Sequence, residues 1–375
     1  MRSPRVSRRA AVAAVLTTLA VLTAACGGVG AADGAGSSAP VASVTAVAET
    51  DAPPASTASA VPRRLGSGES VTLAFGGDVH FEQPIRGYLD QSPASVFAPI
   101  APWLRSADLA MVNLETAISE RGTPWPGKQY SFRGPASGFD AIRLGGVDVV
   151  TAANNHGMDY GADALRDTLK AAKQHGVPLV GAGLSERAAY APYRVTINGQ
   201  RIAIFGASQV MDENLRPLWS ARGSTLGLAN AYPADRLLQA VRQARATSDS
   251  IVVYLHWGEE MQACPTERQR DLAPRLVAAG ADVIVGSHAH IQLGAGMLGK
   301  AFVSYGLGNF VFYASRPDNT KTGVLEVTIT GRRIDGYRWR PARIIDGRPT
   351  PAVGAERRQL LAEWNGLRAC TNLRR

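Results

Sequence analysis

Six short apolar runs each end abruptly on polar residues able to do chemistry, and this recurrence constrains the fold more than any other feature of the chain. Val71–Phe75 leads into Gly76-Gly77-Asp78-Val79-His80, Leu109–Val112 into Asn113-Leu114-Glu115, and Val147–Ala153 into Asn154-Asn155-His156. Ile251–Leu255 leads into His256-Trp257-Gly258-Glu259-Glu260, Val283–Val285 into Gly286-Ser287-His288-Ala289-His290, and Phe302–Leu307 into Gly308-Asn309-Phe310. Short apolar runs followed by glycine and polar residues read as buried strands. Helical patterns lie between them, at Val96–Arg105, Phe139–Leu144, Ala162–His175, Pro233–Ala246 and Thr266–Ala279, with a last helix from about Glu356. Alternating strands and helices predict an α/β fold. A hairpin signal at Asn198-Gly199 and an alternating β pattern over Gly323–Ile344 argue against one parallel sheet. The expectation is two mixed β-sheets packed together and flanked by helices. If the runs point the same way, their polar ends share the sheet edge where open α/β sheets bind ligands.

The histidines sharpen this. Of six in the chain, His80, His156, His256, His288 and His290 fall in these clusters, and only His175 lies elsewhere, at a helix end. A lone histidine after a strand is usually a hydrogen-bonded structural residue. Five in the same register, beside Asp78, Glu115 and Asn155, form a set of imidazole, carboxylate and amide donors that suits Mn, Fe or Zn. No CxxC or Cys/His spacing of a structural zinc site is present. The donors are too many for one ion and suit two divalent metal ions, which together stabilise the attacking and leaving oxygens of phosphoryl chemistry.

The amino terminus reads as an export signal. MRSPRVSRR is basic, and the apolar stretch after it has only 16 residues before Cys26. A membrane span needs about 20, so residues 1–25 read as a signal peptide. Leu22-Thr23-Ala24-Ala25-Cys26 resembles a bacterial lipobox with Thr23 out of pattern, and Cys26 would become the lipidated first residue. Residues 26–68 are rich in small residues and proline, as expected of a flexible tether between a lipid anchor and a domain at 69–375. That domain holds the motif core at 76–312 and the C-terminal β pattern and helix at 320–375. The net charge of +9 falls to +5 without the four arginines of the signal, and no Lys/Arg run interleaved with aromatics remains. Nucleic-acid binding is therefore not expected. Cys264 and Cys370 are left in an oxidising compartment, where they either pair or stay free.

The pieces GDVHF, NLET, ANNHGMDYG, HWGEE, GSHAHI and YGLGNFVF, in that order from Gly77 to Phe312, resemble the CapA family of poly-γ-glutamate capsule proteins. Their order of metal-binding residue types is similar to that of calcineurin-type metallophosphoesterases. The resemblance implies a metallophosphoesterase-like four-layer sandwich. It implies that Asp78, His80 and His290 hold one metal, that Asn155, His256 and His288 hold the other, and that Glu115 bridges them. His156 would face the leaving group as general acid. Asp159 would either orient His156 or cap the following helix. Glu260 and Asn309 are expected near substrate or behind the ligands, Trp257 in packing, and Asn154 as a backbone-shaping residue. There are departures from ordinary phosphatases: Glu115 stands where an aspartate is usual, Asn154 replaces a glycine, and Ser287 intervenes before His288. The functional expectation is a lipid-anchored protein on the outer face of the cytoplasmic membrane, acting in capsule or envelope polymer synthesis or export. Its partners would be an anionic polymer or phosphoester and membrane-bound synthesis proteins. The alternative is a non-catalytic binding or scaffold protein for such a polymer.

Overall fold

The computed structural model describes residues 68–375. The expected signal peptide, Cys26 and nearly all of the linker lie outside the described residues.

Two sheets carry the fold. In the first, the spatial order of strands is Arg348–Pro351, Arg333–Ile345, Lys321–Thr330, Val71–Val79, Leu109–Leu114, Val149–Thr151 and Leu179–Val180, and the short strand Asn309–Val311 also pairs with Val71–Val79. In the second the order is Gln292–Leu298, Ala301–Leu307, Val283–His288, Ser250–Trp257, Gln200–Ser208 and Tyr193–Ile197. Both are mixed. The strands from Val71–Val79 to Leu179–Val180 are parallel neighbours, whereas the C-terminal strands pair antiparallel. The centre of the second sheet is parallel, and the Tyr193–Ile197 hairpin adds an antiparallel edge. Asn198 and Gly199 both have positive φ, as a tight two-residue hairpin turn requires.

The core sits in three layers of contact. Leu73, Phe75 and Met111 of the first sheet pack face to face with Ile204, Val252, Tyr254 and Val285 of the second. The outer face of the first sheet is covered through Phe97, Phe139 and Ile142, and that of the second through Leu237, Val241, Leu272 and Leu276. This is the expected helix–sheet–sheet–helix sandwich. A strand between two covered faces is buried along its whole length, as Ser250–Trp257 is at every residue, and its central run Ile251–Leu255 is correspondingly apolar.

Most elements fall where the periodicity puts them, including helices at Gly161–Gln174, Asp235–Arg245 and Glu267–Ala279, the last opened by a Thr266–Gln269 capping box. The single helix expected over Val96–Arg105 is corrected. Short helices form at Pro93–Val96 and Ala101–Leu104, and the chain between them holds Pro99, which removes a backbone donor and disfavours helix in the residue before it. Cys264 and Cys370 form a disulfide with Cα atoms 5.6 Å apart. It fastens the loop after the Ser250–Trp257 strand to the turn at Leu367–Cys370. A crosslink spanning 106 residues stabilises chiefly by restricting the unfolded chain, typically by about 2–4 kcal/mol.

Candidate metal centre

The strands run further than the apolar runs alone suggest. Val71–Val79 carries Asp78 within it, Ser250–Trp257 carries His256, and Val283–His288 ends on His288. The ladder between Val71–Val79 and Leu109–Leu114 shifts register between Phe75 and Asp78, at Gly76-Gly77. A Cβ on Gly77 would lie 1.8 Å from the Gly308 carbonyl oxygen, so only glycine lets these two segments meet. The irregularity sets Asp78 against residues of both sheets. Its Oδ1 accepts from Asn113 Nδ2 at 2.8 Å, and its Oδ2 accepts from the His288 backbone N–H at 3.1 Å.

Glu115 follows the Leu109–Leu114 strand and is completely buried, yet neither carboxylate oxygen has a hydrogen-bond partner. Three imidazoles face its Oε1 instead: His256 Nε2 at 3.5 Å, His156 Nε2 at 3.9 Å and His290 Nε2 at 4.0 Å. His288 Nδ1 is likewise buried without a partner. Burial, with the Asp78, Glu260 and Asp159 carboxylates adding to it, pushes the Glu115 carboxyl well above its ordinary range. Burial also raises Asp78 and holds His256 and His288 well below the usual imidazole value. A buried acid without a hydrogen bond, set among imidazoles, is costly by itself and is what a bound cation stabilises.

Among the described residues, two groups of donors emerge. Glu115, His288 and His290 form one, and Asp78, Glu115 and His256 the other, with the ligand atoms of each group within 4.8 Å of one another. Glu115 is common to both, as a bridge must be. Asp78 reaches both groups, with Oδ2 3.6 Å from His290 Nδ1, the expected pairing, and Oδ1 3.9 Å from His256 Nδ1. Asn155 Oδ1 lies 2.7 Å from His256 Nε2, at the edge of the second group. His288 and His290 both adopt positive φ, 94° and 55°, a backbone strain concentrated at this place.

His80, expected as a ligand, is fully buried beside these donors and is a member of neither group. The Glu82 backbone N–H approaches its Nδ1 at 3.0 Å and the Tyr313 N–H its Nε2 at 3.2 Å, while its ring packs against Phe132 and Phe312 at 4.9 and 4.1 Å. Tertiary packing has drawn it into an aromatic wall.

The residues around the two groups are ordered by hydrogen bonds. His256 Nδ1 meets Ser287 Oγ at 3.0 Å, and His290 Nδ1 meets Asn309 Oδ1 at 2.8 Å. Such contacts fix which ring nitrogen faces the centre. Asp159 Oδ2 lies 2.7 Å from His156 Nδ1 and accepts from the Phe132 N–H at 2.7 Å. The helix Gly161–Gln174 has Tyr160 as its N-cap and no side-chain cap, which decides between the two roles open for Asp159. His156 is held below its ordinary value by burial, with the Asp159 bond opposing. The expectation that Asn154 only shapes the backbone is corrected. Its side chain donates to Asn113 Oδ1 and Leu114 O, and its own Oδ1 accepts the His156 N–H, so it does more than shape the turn.

Lys128 is a member that sequence reasoning missed. Its ammonium is buried, pairs with Asp159 Oδ1 and donates to the Asn155 carbonyl. It arrives from a loop rich in glycine and proline, where no periodicity marks it. Trp257 is fully buried and donates from Nε1 to Tyr305 O, a packing role as expected. A cleft of about 630 Å³ opens over His156, His290 and Asn309. Tyr130, Phe132, Phe312 and Tyr313 wall it, and Glu260, Asp346 and Arg316 complete its charged lining. Glu259 is exposed to solvent.

The model of the bacterial capsule synthesis protein family PGA_cap matches residues 72–314. The chain is 27% identical over 289 residues to the PGA biosynthesis protein CapA of Bacillus subtilis (strain 168), covering 76% of this chain and 74% of that one. It is 26% identical over 307 residues to the capsule biosynthesis protein CapA of Bacillus anthracis, covering 80% and 74%. Among solved structures it is similar to a putative 5′-nucleotidase from Staphylococcus aureus, with a TM-score of 0.46 and 15% identity over 80% of this chain and 58% of that one. The matched segment contains every motif from GDVHF to YGLGNFVF and well over half of the chain, which therefore belongs to the bacterial capsule synthesis protein family that includes CapA.

Proposed function

We propose that this protein is a lipid-anchored capsule-synthesis protein whose strand-end centre binds two divalent metal ions and hydrolyses a phosphoester-type bond in poly-γ-glutamate or envelope polymer metabolism. The single observation that carries the metal reading is Glu115, a fully buried carboxylate with no hydrogen bond and three imidazoles around it. The donor set fits the group: carboxylate oxygens and imidazole nitrogens without thiolates suit Mn, Fe or Zn. Glu115 would bridge, and Asp78, Asn155, His256, His288 and His290 would supply the remaining donors. When bound, such a pair supplies charge stabilisation to the attacking and leaving oxygens of an in-line displacement.

The chain's own residues then divide the remaining work. His156 lines the cleft, so its Nε2 can pass a proton to a leaving oxygen. Asp159 accepts at Nδ1 and so supports the doubly protonated ring that a general acid needs, and Lys128 holds Asp159 in place. Asn309 and Ser287 keep His290 and His256 oriented. The aromatic wall narrows the cleft and limits water around the reacting group.

Metal content and stability test this reading together. The purified full-length chain is expected to carry Mn, Fe or Zn by elemental analysis. Restoring metal to chelator-treated protein should raise its unfolding midpoint, since ligand at 100 times its Kd adds about 2.7 kcal/mol. Protein with no bound metal and an unmoved midpoint would remove the centre from the proposal. The anchor is tested separately: Cys26→Ser should shift the chain from the membrane fraction to the soluble one, and an unchanged distribution would rule out lipidation there.

A further inference from the structure

We propose that the cleft over the strand-end centre is a saccharide subsite, so that the phosphoester it takes is a sugar phosphate. The inference rests on the phosphoester reading of that centre and names the group that carries the phosphate. A cleft of about 630 Å³ has the size of a site for a whole small molecule, usually about 300–1,000 Å³, and a phosphoryl group alone fills a small part of it. Among the described residues, the large apolar or aromatic side chains left exposed include Tyr130 at 55%, Met261 at 40% and Tyr313 at 37%, and all three line this cleft. Exposed apolar surface gathered in a concave place marks a ligand site.

The rim is fixed by its backbone. Among the described residues, five other than glycine have positive φ. Asn198 belongs to the hairpin turn and His288 and His290 to the donor groups, while Met261 at 59° and Asp346 at 48° line the cleft. Strained backbone of this kind persists only where the surrounding structure holds it, and it collects at ligand sites. The Met261 N–H donates to the Ala289 carbonyl at 2.9 Å, and the Phe312 N–H to the Gly347 carbonyl at 3.1 Å. These bonds tie the segment carrying Glu260 to the His288–His290 turn, and the segment carrying Asp346 to the aromatic wall.

The lining selects the ligand. A pyranose has a C–H face that lies on aromatic rings, and hydroxyls that donate to carboxylates and accept from a guanidinium. Tyr130 and Tyr313 offer the rings, Glu260 and Asp346 the carboxylates, and Arg316 the guanidinium. A planar nucleobase is held best between parallel ring faces. The rings here meet at angles instead, Phe132 and Phe312 at 89°, Phe132 and Tyr313 at 79°, and Phe312 and Tyr313 at 49°. They form a corner, which suits a puckered ring. A chain of carboxylates meets two acids and one guanidinium at the mouth, and the sign is unfavourable to it. In the reaction, water bonds to phosphorus as the bond from phosphorus to the sugar oxygen breaks, and that oxygen leaves as a hydroxyl with the proton from His156.

The test measures binding to the full-length chain, loaded with Mn, by calorimetry. Glucose 1-phosphate should bind about tenfold or more tighter than inorganic phosphate, the worth of a hydrogen bond to a charged group. Tyr130→Ala and Glu260→Gln should each remove most of that gain and leave the Kd of inorganic phosphate unchanged, whereas Tyr130→Phe, which keeps the ring, should keep most of it. Both positions are exposed, where substitution rarely unfolds a chain. Equal Kd for glucose 1-phosphate, glycerol 3-phosphate and inorganic phosphate, tighter binding of adenosine 5′-monophosphate, or variants that keep the full gain would each overturn the subsite. Methyl glucoside, which carries no phosphate, separates the two readings by saturation-transfer NMR. If inorganic phosphate fails to bind while the glucoside binds the wild type and not Tyr130→Ala, the phosphoester reading falls and the saccharide subsite stands. If phosphate binds and the sugar adds nothing, the subsite alone falls, and silence from both ligands overturns both.

Discussion

Glu115→Gln should strip the protein of metal while leaving its fold intact. Glutamine has nearly the same shape but cannot bridge two cations with two anionic oxygens. Changing a residue that merely supports a metal ligand lowers affinity about 10–100-fold, so replacing the shared ligand should cost at least about 100-fold. Elemental analysis checks it, and stoichiometric metal in the variant would exclude Glu115 as the bridge. The metal-free protein gives a second readout. Burial raises the folded-state pKa of Glu115, so above about pH 4–5, where the unfolded carboxylate ionises, the folded state holds the extra proton. Stability of the metal-free wild type should therefore fall as pH rises through that window. Glu115→Gln should flatten the dependence in part, leaving the contribution of Asp78, whose carboxyl is raised in the same direction.

His156→Ala should have the opposite signature, with metal retained and turnover lost. The ring stands 3.9 Å from Glu115 and is tied to Asp159 at 2.7 Å, and it is absent from both donor groups. Removing a general acid typically lowers the rate about 10²–10⁴-fold. The measurement is hydrolysis of a phosphoester panel by the metal-loaded chain, with metal content determined on the same samples. Equal turnover in wild type and variant would remove His156 from catalysis. Absence of turnover in the wild type across the panel would instead favour a binding or scaffold role for the centre.

How much was legible in sequence depended on whether a signal was local. The apolar runs gave the strands, because a strand covered on both faces is buried along its length and its central run is correspondingly apolar. The polar residues closing those runs pointed to Asp78, Glu115, His256, His288 and His290, because parallel strands bring their ends to one edge. Lys128 carried no such signal, since its partners Asp159 and Asn155 are distant in sequence and its loop has no period. His80, two residues after Asp78 and just past the end of the strand, has the spacing of a ligand, and only the tertiary structure shows Phe132 and Phe312 arriving from elsewhere to pack against its ring.

The sequence by itself determined the class of fold, the edge at which chemistry collects and the residue types found there, because hydrophobic period and strand direction are properties of short segments. Only the tertiary structure decided which donors lie within reach of one another, which aromatic rings pack on His80, that Asp159 meets His156 rather than a helix end, and that Cys264 meets Cys370. Each of those is a distance between segments far apart in the chain, set by how two twisted sheets pack, and no local pattern encodes it.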